Sequence, residues 1–318
     1  MSKTIVILGA CGQIGTELTL ALRSRYGSES VIASDIREGT SELMESGPFV
    51  TLDATDFKAL EELFKKTKVN EVYLMAAMLS ATAEKHPARA WDLNMSTLLH
   101  VLELGRMGLY SKLFWPSSIA VFGPNTPKEN TPQSTVTEPS TVYGISKKAG
   151  EGWASYYHRK YGVDVRSLRY PGLISWKTQP GGGTTDYAVD IFHQALKNGS
   201  YECFLKEDTA LPMMYMADAI EATLKLMEAP AGALSIRTSY NLGALSFTPG
   251  DLARSITSDL PDFKISYVPD SRQEIAESWP HSIDDSQARK DWGWEHRYDL
   301  DKLTREMLLN LRDHLYPG

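Results

Sequence analysis

Short apolar runs alternate with amphipathic stretches along the first half of the chain. Thr4-Ile5-Val6-Ile7-Leu8 is rich in β-branched residues and apolar on both faces, the pattern of a strand buried in a parallel sheet. An amphipathic stretch from Glu17 to Arg25 follows, then Val31-Ile32-Ala33-Ser34-Asp35 as a second strand. Phe49-Val50-Thr51-Leu52 predicts a third strand and about 57–66 a helix. Glu71-Val72-Tyr73-Leu74-Met75 predicts a fourth strand, about 89–107 a long helix, and Lys112-Leu113-Phe114-Trp115 a fifth strand. Thr141-Val142-Tyr143 opens a helix running to about Tyr161, and Val163 to Leu168 alternates as a further strand. Strand–helix alternation of this kind predicts an α/β fold with a doubly wound parallel sheet covered on both faces. Beyond about residue 172 the pattern loosens into short strands and helices, which predicts a smaller C-terminal α/β domain for substrate. The expected division is 1–172 and 173–318, approximate because the elements interleave. Between Gly123 and Tyr143 the chain is rich in Pro, Thr and Ser and reads as a surface loop. Gln179-Pro180-Gly181-Gly182-Gly183-Thr184-Thr185 reads as a mobile loop that closes over substrate.

The turn after the first strand sharpens this into a Rossmann-type expectation. Gly9, Gly12 and Gly15 are spaced by three between a strand and a helix, so backbone amides at the helix N-terminus can approach a pyrophosphate. Asp35 ends the second strand twenty residues after Gly15. A carboxylate there accepts hydrogen bonds from the ribose hydroxyls of NAD and repels the extra phosphate of NADP. Arg37 keeps an NADP reading open, but Asp35 favours NAD. Asp53 follows the third strand, where by position it reads as a helix cap. Ala76-Ala77, after the fourth strand, are small enough to let a cofactor pass close to the backbone.

Composition excludes several classes. The net charge of −7, with no block of Lys or Arg, argues against a nucleic-acid surface. No apolar run approaches the ~20 residues of a membrane span. Met1-Ser2-Lys3 leads straight into the first apolar run, so no signal or transit peptide is expected. Two cysteines, Cys11 and Cys203, make no disulfide framework, and seven scattered histidines offer no metal-ligand spacing. Cys11 sits in the Gly loop, where a small packing residue is wanted. The expectation is a cytoplasmic enzyme with no metal.

Tyr143 and Lys147 lie four apart and share a helix face. A phenol titrates near pH ~10, and bringing it to neutrality takes roughly three units, or about 4 kcal/mol. A nearby cation favours the phenolate. Lys147 and a bound nicotinamide are the expected sources, which would make Tyr143 a general base. Together with Ser118 and the Gly-x-x-Gly-x-x-Gly turn, the pair resembles the short-chain dehydrogenase/reductase superfamily. The segment Pro116-Ser117-Ser118-Ile119-Ala120-Val121-Phe122-Gly123 is similar to its extended branch, which contains sugar-nucleotide epimerases and dehydratases. Phe122 stands where that branch often has Tyr. The resemblance implies that Ser118, Tyr143 and Lys147 are catalytic: Tyr143 takes the hydroxyl proton as hydride leaves for the nicotinamide, Ser118 bonds the developing oxyanion, and Lys147 lowers the Tyr143 pKa. It implies cofactor contacts at Gly9, Gly12, Gln13, Ile14, Gly15, Asp35, Ile36, Arg37, Leu52, Asp53, Met75, Ala76, Ala77, Tyr143, Lys147, Tyr170 and Pro171.

Four further segments carry a narrower resemblance: Ala77 to Ala81, Gly181 to Tyr187, Met213-Met214-Tyr215-Met216-Ala217-Asp218, and Arg272 to Pro280 leading to Ser282-Ile283-Asp284-Asp285 and Asp291-Trp292-Gly293-Trp294. Together they resemble the epimerase-like L-threonine 3-dehydrogenases from end to end. That implies oxidation of L-threonine at its 3-hydroxyl by NAD, giving L-2-amino-3-ketobutyrate, in amino-acid degradation. It implies a homodimer built on the long helices and coupling to a 2-amino-3-ketobutyrate CoA ligase. By matching segment, Ser80, Ser118, Tyr143, Thr185 and Trp279 are the expected substrate contacts; Ser80 and Thr185 read equally as loop hydroxyls, and Trp279 as packing. The alternative is a nucleotide-sugar epimerase or dehydratase that recycles a tightly bound NAD, with Arg237, Arg254 and Arg272 available for a diphosphate.

Overall fold

A computed structural model describes residues 3–181 and 183–316. The chain divides into two compact units: 1–118, 141–169 and 220–240 in the first, and 119–140, 170–219 and 241–318 in the second.

The first unit is built on six parallel strands: β1 (Ile5–Leu8), β2 (Val31–Asp35), β3 (Phe49–Thr51), β4 (Glu71–Leu74), β5 (Lys112–Phe114) and β6 (Asp164–Arg166). Their order is β3-β2-β1-β4-β5-β6, so the direction of winding reverses beside β1, where such sheets bind ligands at their carboxyl ends. The helices are α1 (Gln13–Tyr26), α2 (Phe57–Thr67), α3 (Ser80–Lys85), α4 (Pro87–Arg106) and α5 (Val142–Tyr161). The apolar faces of α4 and the strands meet in a core that includes Val6, Leu8, Val72, Leu74, Leu98, Val101, Leu113, Trp115 and Val165. Hydroxyl and carboxylate caps fix the helix starts: Asp56 accepts from Ala59 N (3.1 Å), and Thr141 from Gly144 N (3.1 Å). Arg23 is buried, and its guanidinium donates to Leu43 O, Ser46 Oγ and Pro48 O, pinning the β2–β3 connection under α1.

In the second unit β7 (Gly172–Ile174) and β9 (Leu211–Tyr215) run parallel, with β10 (Leu245–Phe247) antiparallel to β9. A separate parallel pair joins β8 (Ser200–Cys203) to β11 (Lys264–Tyr267), and α6 (Tyr187–Asn198), α7 (Pro249–Asp259) and α8 (Leu300–His314) pack on one another.

The structure moves several sequence-based boundaries. Helix α1 starts at Gln13 rather than Glu17, directly against the Gly loop. The run 163–168 splits into β6 and a short strand, Leu168–Tyr170. The division at 172 is replaced by a finer one. Residues 220–240 return to the first unit because the buried Arg166 donates to Leu226 O, Met227 O and Ala229 O, while Lys112 Nζ donates to Met227 O. Residues 119–140 join the second because Thr131, read as part of a surface loop, is fully buried and pairs with Ser282 and Asp284.

Candidate active site

The Gly loop follows β1 and is pinned from both sides. Gly9 N and Ala10 N donate to Ser34 O on β2, and Met75 N and Ala76 N donate to Leu8 O. Gly9 has φ +87°, and a Cβ there would lie 2.4 Å from Ala76 N. A Cβ on Gly15 would lie 2.2 Å from Gly9 O, so neither position tolerates a side chain without moving backbone. Below the loop is a cavity of about 710 Å³ lined by Gly9, Gly12, Asp35, Ile36, Arg37, Leu52, Asp53, Met75, Ala76 and Ala77. Gln13, Ile14 and Gly15 form the first turn of α1, whose N-terminus leads out of that loop. A loop with glycine at its points of close backbone approach, a helix N-terminus and an acid at the end of β2 are what a dinucleotide needs, and the residues present fit NAD.

Asp53 does not cap α2, since Asp56 does; instead its Oδ1 accepts from Thr55 N and Thr55 Oγ1, in a turn at the cavity wall. Asp35 accepts from Cys11 N at 2.9 Å. The Cys11 thiol is pushed up to about 11 by burial and by Asp35, which keeps it protonated and fits a packing role. Sequence reasoning missed Arg89, Asp92, Ser96 and Thr97 in the cavity wall. Arg89, Asp92 and Ser96, spaced by three and four on α4, mark one polar face, which in the sequence is indistinguishable from a solvated one.

Tyr143 lies in the first turn of α5, and its phenol is hydrogen-bonded to Ser118. Lys147, one turn further, is buried; its Nζ donates to Pro116 O at 2.6 Å and stands 4.6 Å from the centre of the Trp115 ring. The same Nζ is 5.4 Å from the centre of the Tyr143 ring. The expected lowering of the phenol is not the dominant influence within the folded chain. Burial pushes Tyr143 up to about 12, with the Ser118 bond opposing it, and burial pushes Lys147 down to about 7, with Glu151 opposing it.

Asn94 was also missed. It is buried in α4, accepts from Met78 N (2.7 Å) and donates to Met78 O and Ser146 Oγ (3.2 Å each), and Ser146 Oγ donates to Tyr143 O. It therefore joins the segment leading to Ser80 to the helix bearing Tyr143. No local signal marks it, because Asp92, Ser96 and Thr97 make the same stretch of α4 polar.

Ser80 is the first residue of α3. Tyr170 and Pro171 are buried where the second unit resumes, and Thr185 lies in the second unit, in the turn before α6. Gly182 lies outside the described residues. Beside it, Asp186 Oδ2 accepts from Gly181 N (2.6 Å) and Gly183 N (2.9 Å), which folds the Gly-rich stretch back on the start of α6. Trp279 is 6% exposed, the burial of a packing residue. Two of the distinctive C-terminal segments hold the second unit together: Trp294 Nε1 donates to Asp285 and to Gly243 O, and Asp218 accepts from Arg297 N and Tyr298 N. Among the described residues, no three His, Cys, Asp or Glu side chains form a metal-binding group, and no helix is long and apolar enough to cross a membrane.

A profile of the NAD dependent epimerase/dehydratase family matches residues 5–243. The chain is 58% identical to an L-threonine dehydrogenase from Cupriavidus necator, solved in its holo form, over 97% of this chain and 99% of that one, with a TM-score of 0.94. It is 47% identical over 308 residues to the mitochondrial L-threonine 3-dehydrogenase of Bos taurus, covering 96% of this chain and 82% of that protein. A UDP-glucose 4-epimerase from Thermotoga maritima is 22% identical with a TM-score of 0.86, a likeness of fold alone.

Proposed function

The chain belongs to the NAD-dependent epimerase/dehydratase family, and from that premise we propose that it oxidises L-threonine at the 3-hydroxyl to L-2-amino-3-ketobutyrate, with Tyr143 as general base. The observation that carries this reading is the Tyr143 phenol hydrogen-bonded to Ser118 with the Lys147 ammonium one helical turn away, in a chain 58% identical to a threonine dehydrogenase. NAD, when bound, supplies the two-electron oxidising capacity; the Gly loop, Asp35 and the cavity wall would hold it. Ser118 orients the substrate hydroxyl and donates to the oxygen as its charge changes. Tyr143 removes the hydroxyl proton, and Lys147 favours the phenolate by its charge. Ser80, at the start of α3, is available to the amino-acid end of the substrate. The same reading includes a homodimer through α4 and α5, which expose Trp91, Trp153, Tyr156 and Tyr161, and hand-over of the ketone to a CoA ligase.

The product assignment is tested by carbon-13 NMR of uniformly labelled L-threonine turned over with NAD. The ketone and its decarboxylation product aminoacetone are expected, with glycine appearing when coenzyme A and the ligase are added. Recovery of threonine or allo-threonine alone would remove the assignment.

Cofactor choice gives a separate expectation. Asp35→Ser removes the charge that opposes a 2′-phosphate and leaves Arg37 at the cavity wall. The ratio of kcat/KM for NAD over NADP should fall by about a hundredfold. An unchanged ratio would show that Asp35 does not discriminate between the two.

A further inference from the structure

The contacts around the base include a residue that the reaction, as described above, does not use. Tyr143, Lys147 and Glu151 are spaced by four along α5, and three consecutive residues, Pro116, Ser117 and Ser118, meet them one for one. Ser118 bonds the Tyr143 phenol, Pro116 O accepts from Lys147 Nζ (2.6 Å), and Ser117 Oγ donates to Glu151 Oε1 (2.7 Å). Glu151 is itself buried and held by Arg169 through a two-pronged ion pair, Nε to Oε1 at 2.8 Å and Nη2 to Oε2 at 2.7 Å. We propose that Glu151 is a positioning residue, one that anchors the Pro116–Ser118 segment on α5 and opposes the loss of the Lys147 charge beside Tyr143.

A carboxylate this deeply buried is costly unless paired, and Arg169 with Ser117 supplies that pairing. Among the described residues, the titratable groups facing Lys147 are Tyr143 and Glu151 on its own helix, with Arg169 behind Glu151. The Trp115–Ser118 segment opposite supplies a ring, a carbonyl and hydroxyls but no charge. Burial drives the ammonium toward neutrality, and Glu151 is the charge that opposes this. Ser117, next to the residue that bonds the base, thereby acquires a role as the link between Glu151 and Ser118.

The catalytic half of this inference rests on the dehydrogenase reading, so the test uses a readout that needs no substrate. Glu151→Gln alone strands the Arg169 charge and is prone to misfold; the double variant Glu151→Gln with Arg169→Gln removes both charges at nearly constant shape. The Lys147 Cε resonance of carbon-13-lysine protein, identified by its loss in Lys147→Arg, is titrated in the wild type and in the folded double variant. The midpoint should move down in the double variant, because the charge lost one turn from Lys147 outweighs that of Arg169 behind it, and the ascending limb of kcat with threonine, where Tyr143 gives up its proton, should move up. An unmoved midpoint in the folded double variant would overturn the proposal, whatever the wild type does with threonine. A shifted midpoint with no threonine turnover by the wild type would uphold Glu151's hold on Lys147 and remove the dehydrogenase reading instead.

Discussion

Tyr143→Phe is expected to lower kcat by about three orders of magnitude, the contribution of a well-placed general base, while NAD affinity stays within about threefold. The substitution keeps the ring and its packing and removes only the hydroxyl that is bonded to Ser118. The ring that can face the cofactor is kept, so the cofactor's binding free energy should be largely untouched. The two readouts separate the possibilities. A fall in kcat without a fall in affinity is a chemical defect, whereas a joint fall is a folding or docking defect. A variant retaining a tenth of wild-type turnover would remove Tyr143 as base.

Lys147→Met should cost turnover on the order of a hundredfold and should also change how stability depends on pH. Burial lowers the Lys147 pKa from 10.5 to about 7. Between those values the unfolded chain binds a proton that the folded chain does not, so folding stability rises with pH across that window. Tyr143, raised from 10.0 to about 12, works in the other direction: above pH 10 the unfolded chain has lost a proton that the folded chain retains, and stability falls. Urea denaturation of the protein alone between pH 7 and 8.5, below the range where the unfolded Cys11 and Cys203 thiols titrate, separates the lysine from them. The wild type should gain stability over that range, and Lys147→Met, which keeps an unbranched apolar side chain over the Trp115 ring, should show a much flatter profile. The same rise in both proteins would mean that the ammonium is not buried as described.

The parts of the molecule that were legible in the sequence are those set by local pattern. The strands β1 to β5, α2 and α5 follow from short apolar runs, 3.6-residue periodicity and caps such as Thr141. The Gly loop and Asp35 were readable because close backbone approach admits only glycine and because an acid after the second strand has one strong use. Contacts made across long sequence separations were not readable. Nothing local distinguishes Arg166, whose guanidinium draws residues 226–229 back to the first unit, from a surface arginine. Asn94 and Glu151 are polar residues in helices that expose polar faces elsewhere, and only the packing of α4 and α5 shows them to be buried. Thr131 is hidden inside a stretch whose composition says loop. The burial of the Tyr143 phenol was unreadable for a related reason: residue spacing supplied the neighbouring charge, but the amount of water excluded from the phenol is a property of the tertiary structure.

Absorbance at the NADH band measures the proposed reaction directly. Purified protein is mixed with NAD and L-threonine, beside matched L-serine and UDP-sugar samples. Threonine-dependent accumulation of NADH, absent in Tyr143→Phe, is the predicted result. No NADH with threonine, together with conversion of a UDP-sugar without net NADH, would contradict it and transfer the same fold and residues to an epimerase.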